Sequence, residues 1–117
     1  MTKKSETAPD PVAIDPEAYK VLFENEKVRV LEFRDRPGDH AKMHIHPERL
    51  IYSFTPWKRK FFYPDGRTEL AEGKAGEIKW TAPVIHAGEN IGETETHNLF
   101  IEFKDQPGKV RTQGQRR

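Results

Sequence analysis

Gly38–Phe54, GDHAKMHIHPERLIYSF, is the stretch on which the reading of this chain turns. At its centre stands His44-Ile45-His46. Side chains alternate faces along a strand, so a strand here puts both imidazoles on one side, about 7 Å apart, with Met43 and Ile45 on the other. Two same-face imidazoles can grip one metal ion, and nitrogen donors suit iron, manganese, nickel or zinc. The pair needs a third ligand from elsewhere in the chain. His86, in the run PVIHAGEN at Pro83–Asn90, is the candidate. It lies about forty residues on, in a loop leading into a short strand, and a barrel whose strands pair far along the chain brings such positions side by side.

Outward from this stretch the sequence reads as short strands separated by turns. Tyr19–Glu24 and Val28–Arg34 form a hairpin around Asn25-Glu26-Lys27. Arg36-Pro37-Gly38-Asp39 breaks the chain. In Arg49–Phe54, Arg49, Ile51 and Ser53 share one face and Leu50, Tyr52 and Phe54 the other. Lys58–Tyr63 and Arg67–Glu72 flank Pro64-Asp65-Gly66, a hairpin turn in which glycine takes the positive φ angle. Glu77–Thr81 and His97–Lys104 complete the set, the last with His97, Leu99, Ile101 and Phe103 on one face. One helical turn is conceivable, at Pro16–Lys20. This rhythm predicts an all-β sandwich or barrel.

The 117 residues suit one domain. Apolar residues are concentrated between Val21 and Phe103. We therefore expect a flexible lead over residues 1–16, a folded domain over 17–105 and a flexible basic tail over 106–117. A net charge of +1 provides no field to gather nucleic acid or an anionic membrane. The absence of cysteine excludes disulfides and thiolate sites. No apolar run approaches the ~20 residues that span a bilayer, and MTKKSETAPDP lacks the apolar centre of a secretory signal, so a cytoplasmic location is expected.

The spacings resemble those of the cupin superfamily. Its first motif is a glycine, five residues, His-x-His and then a glutamate; Gly38, His44 and His46 match this. Its second is a glycine, a Pro-x-Gly, and a histidine separated by three residues from an asparagine. Gly76, Pro83, His86 and Asn90 stand in that order. The resemblance covers roughly Tyr19–Lys104 and implies a double-stranded β-helix, a jelly-roll-like barrel, with the site inside. By the same resemblance small cupins are commonly homodimers. Two departures stand out. The glycine between Pro83 and His86 is missing, and the glutamate's usual place is held by Arg49, with Glu48 one residue early. A one-residue offset turns a strand side chain to the opposite face.

Two functions follow. In the first, His44, His46 and His86 hold one divalent metal on neutral nitrogens, and Arg49 clamps the carboxylate of a small anionic, chelating substrate. Dioxygenase, isomerase and lyase chemistry all occur on this fold by resemblance. In the second, no metal binds, and the same residues line a pocket for a small anion in a binding or sensing module. Glu48 and His97 are further ligand candidates, Glu48 if the turn at Pro47 re-aims it and His97 if its face points inward. Trp57 and Trp80 are expected in the core or a subunit interface, and Lys58-Arg59-Lys60 in solvent. No activated nucleophile or phosphate-binding loop competes.

Overall fold

A computed structural model describes residues 7–104. The tail expected over 106–117 and the first six residues of the lead lie outside them. A short helix α1 (Pro11–Ile14) precedes nine strands: β1 (Tyr19–Glu24), β2 (Val28–Asp35), β3 (His40–His46), β4 (Arg49–Ser53), β5 (Trp57–Phe62), β6 (Thr68–Gly73), β7 (Ile78–Thr81), β8 (Val84–Asn90) and β9 (Thr96–Phe103). They form two sheets, of order β1-β2-β9-β4-β7 and β3-β8-β5-β6. Every neighbouring pair runs antiparallel.

Local chemistry accounts for the turns. The Asn25 side-chain oxygen accepts from the backbone N–H groups of Lys27 and Val28, closing the first hairpin. Gly66 adopts φ 93°, which the Pro64-Asp65-Gly66 turn requires. Residues 7–16, expected within a flexible lead, instead make specific contacts. Asp10 caps α1 through Val12 N–H and pairs with Arg29 at 2.7 Å, and the Pro9 carbonyl accepts from Ile45 N–H. The helix also falls earlier than Pro16–Lys20, because Pro11 occupies the first-turn position that proline tolerates.

The apolar core is small: Tyr19, Leu31, Phe33 and Phe100, with Val12, Ala18 and Ile51 against them. It sits on the inner face of the five-stranded sheet, where Tyr19 is opposite Phe33 and Leu31 opposite Phe100. Among the described residues, the buried apolar side chains, Tyr19, Leu31, Phe33, Trp57, Phe100 and Pro11, are outnumbered by ten buried polar or charged ones. Most of the interior is therefore a polar site, and the strands serve to position it. Among the described residues no helix is long and apolar enough to cross a membrane.

Candidate metal centre

β3 and β8 lie side by side with His44 directly opposite His86. His46, two residues along β3, faces the same way, and all three rings are buried. Their centroids form a near-equilateral triangle of 4.5, 5.1 and 5.2 Å, with ring planes close to perpendicular. One ligating nitrogen from each lies within 4.8 Å of the other two. His86 stacks on Phe61 at 4.7 Å, and Tyr19 stands edge-on to His44 at 6.0 Å. His86 is not on a loop, as the reading of Pro83–Asn90 expected. Pro83 precedes the strand, and β8 starts at Val84, so pairing with β3 fixes the ring.

Burial holds all three imidazoles neutral. It lowers His44, with Arg49 adding to the effect, and lowers His46 well below its ordinary value, with Arg49 again reinforcing. His86 falls to about 3 for the same first reason, with His44 next. Neutral imidazoles are the form that ligates a metal.

Arg49 sits where the sequence placed it, on the inner face of β4 with its guanidinium 5.0 Å over the Phe100 ring. It is 4% exposed, and burial lowers it to about 10. A cavity of about 40 Å³ lies among His44, His46, His86, Arg49, Asn98 and Phe100. That is room for two or three waters at most. A separate, open cleft of about 430 Å³ reaches His46 and Glu102 from the far side, between Ile45, Pro83 and Phe103.

Two candidate ligands fall away. Glu48 accepts a hydrogen bond from Trp80 Nε1 at 2.8 Å, on the outer side of the sheet. The one-residue offset from Arg49 has turned it outward. His97 also faces out. In β9 the buried set is Thr96, Asn98, Phe100 and Glu102, and His97 instead pairs with Glu32 at 2.7 Å. Trp80 is 60% exposed, whereas Trp57 is buried and donates to Ser53 Oγ.

Three site residues were missed from sequence. Asn98 and Glu102 occupy the polar face of β9, passed over because its opposite face is more apolar. Their signal was a Thr-x-Asn-x-Phe-x-Glu alternation that equally fits a polar interior. Arg59, read as solvated, points inward, with Nη1 2.9 Å from Asp35 and 3.1 Å from Thr96 Oγ1. Asn90 donates to the same Asp35 at 3.2 Å and accepts from Gly92 N–H, tying β8 to its turn.

No protein-family model matches the sequence, and no curated protein matches it either. Solved structures do. A cupin domain protein of Bordetella pertussis Tohama I superposes with a TM-score of 0.68 at 26% identity, covering 74% of this chain and 92% of that one. An RmlC-like cupin with a double-stranded β-helix fold from Methanocaldococcus jannaschii gives 0.58 at 14% identity, over 73% and 77%. A variant of the Bacillus subtilis oxalate decarboxylase gives 0.52 at 22% identity, over 71% of this chain and 23% of that protein. The fold is that of a small single-domain cupin, a double-stranded β-helix.

Proposed function

We propose that His44, His46 and His86 hold one divalent ion of iron, manganese, nickel or zinc, and that Arg49 draws a small anionic, chelating molecule onto it. One observation carries this reading. Among the described residues, the buried side-chain atoms without a partner are His44 Nε2, His46 Nδ1, Arg49 Nε and Nη1, Asn98 Oδ1 and Glu102 Oε2. His44, Arg49 and Asn98, which carry four of these atoms, line one cavity, while His46 Nδ1 and Glu102 Oε2 face each other beside it. Each such group costs on the order of 1–3 kcal/mol when left unsatisfied. Their concentration at one place fits a site built around a ligand.

Charge supports the anion. Arg29 pairs with Asp10 and Glu102 and Arg59 with Asp35, whereas Arg49 Nε and Nη1 have no partner, so the charge of Arg49 and the two charges of an ion on neutral imidazoles call for an anion. A carboxylate, hydroxy acid or enolate would offset them and take the two free N–H groups of Arg49. The small cavity favours a molecule of few heavy atoms, and oxalate, a small chelating dianion, is the first probe by charge. When bound, the ion would supply Lewis acidity or, if iron, oxygen chemistry. The chain's own part is to orient the anion at Arg49 and to exclude water behind Tyr19, Phe61 and Phe100.

A second reading has support from Arg49 itself, because a cation beside an ion weakens metal binding. In that reading the cavity takes a small anion without metal. Metal analysis of untagged protein separates the two. About one equivalent per chain is expected; below about a tenth, unchanged after incubation with iron, manganese, nickel or zinc, leaves the anion-binding module. A homodimer would use the outer face of the five-stranded sheet, where Phe23, Ile78 and Trp80 are 54%, 64% and 60% exposed. Light scattering should then give twice the chain mass, reduced to one by Trp80→Glu.

A further inference from the structure

Glu102 and His46 face each other with complementary atoms unsatisfied. Glu102 is 2% exposed; its Oε1 accepts from Arg29 Nε at 2.8 Å, while Oε2 has no partner. His46 Nδ1 has none either, and lies 3.8 Å from that oxygen. The gap is about an ångström beyond a hydrogen bond. A carboxylate oxygen only accepts, so the two atoms suit each other only when the proton is on Nδ1.

We propose that Glu102 is the positioning residue of this centre: its Oε2 selects the Nδ1–H tautomer of His46 and so leaves the Nε2 lone pair for the ion. His44 is set in the same way by a different group. Its Nδ1 lies 2.8 Å from the Lys42 carbonyl oxygen, which leaves Nε2 buried and without a partner. One ring is thus backed by a backbone carbonyl and its neighbour by a carboxylate. Metal-bound histidines are generally oriented through their second nitrogen in this manner. Arg29 in turn orients Glu102. Its Nε holds Oε1 and its Nη2 is anchored on Asp10 at 2.7 Å, so the other carboxylate oxygen is turned to His46. Arg49, across the strand pair from Glu102, makes no hydrogen bond to it through Nε or Nη1, so Oε2 stays free for the imidazole.

The tautomer assignment stands without the metal; only its consequence rests on the metal reading above. Long-range proton–nitrogen NMR of metal-free, histidine-labelled protein at pH 8 reads the tautomer, with the His46 signals identified by His46→Asn. The Nδ1–H form is expected in the wild type. It should persist in Glu102→Gln, whose amide oxygen still accepts, and give way to a mixture or to Nε2–H in Glu102→Met. Cobalt(II) affinity, measured against a competing chelator, should fall about ten- to a hundredfold in Glu102→Met and by less than about fivefold in Glu102→Gln. If Glu102 were only a counter-ion for Arg29 and Arg49, the two variants would behave alike and the tautomer would not change. An Nε2–H signal in the wild type alone overturns the assignment, whether or not Glu102→Met folds. Wild type that binds no cobalt but shows the expected tautomer pattern would remove the metal reading and leave Glu102 in place.

Discussion

Arg49 carries a buried positive charge on the inner face of β4, beside three imidazoles that burial keeps neutral. At about 4 Å and an effective dielectric of 20, each unit of an ion's charge against it costs about 4 kcal/mol. Even a third of that is roughly tenfold in affinity. Arg49→Glu should therefore bind cobalt(II) at least about tenfold more tightly in chelator competition, while losing any strengthening by added oxalate. Unchanged affinity would mean that this charge does not act on the ion. The histidines also set a pH dependence in metal-free protein. Their folded values lie below the ordinary 6.5, so the unfolded chain takes up protons first as pH falls. Stability is complete above about 6.5 and drops below it, by up to about 1.4 kcal/mol per pH unit for each neutral ring. The loss through His86 continues towards pH 3. Glu102, raised by burial against the pull of Arg29, works in the opposite sense, but only in the carboxylate range. Urea titrations from pH 7.5 to 4.5 should show the midpoint falling with pH. A flat profile would mean that the rings are protonated, or open to solvent, in the folded state.

At the scale of elements, the β5–β6 hairpin has a close contact that loop chemistry does not explain. Gly73 is opposite Trp57, and a Cβ there would overlap the indole Nε1 and Cε2. The indole fills that space while donating to Ser53 Oγ at 2.9 Å, which joins the two sheets. Gly73→Ala must displace the ring, at a cost of about 1–3 kcal/mol. Its melting temperature should drop by roughly 5–15 °C, with loss of near-ultraviolet tryptophan signal. A melt within about 2 °C of wild type would mean that the ring moves freely. The face of each element was legible where apolar and polar residues alternate with one sense. That holds for β3 and for β4, where Arg49, Ile51 and Ser53 point inward as read. It fails in β9, where the more apolar row, Leu99, Ile101 and Phe103, lies outside and Asn98 and Glu102 lie inside. The hydrophobic pattern misleads there because the interior is a site rather than a core.

Over the whole molecule, a core of four aromatic and aliphatic residues supports an interior of imidazole, guanidinium and carboxylate groups. Such a chain should depend on what it binds. A ligand at a hundred times its dissociation constant adds about 2.7 kcal/mol of stability. Melting in zinc or manganese should therefore exceed melting in chelator by roughly 10 °C or more, and His86→Ala should abolish the difference. Equal melts for the wild type would argue against a metal on these rings. The amino-acid sequence by itself determined the all-β class, most of the strands and turns, and the inward face shared by His44 with His46 and by Arg49 with Ile51 and Ser53, because alternation is local and survives without coordinates; the barrel was implied by the resemblance of its motif spacings, and β8 reads from sequence as a loop. It could not determine which face of β9 turns inward, where Arg59 goes, or that Glu102 backs His46. Those follow from pairings between strands remote in sequence, β2 with β9, β9 with β4 and β3 with β8, whose register only the folded chain defines.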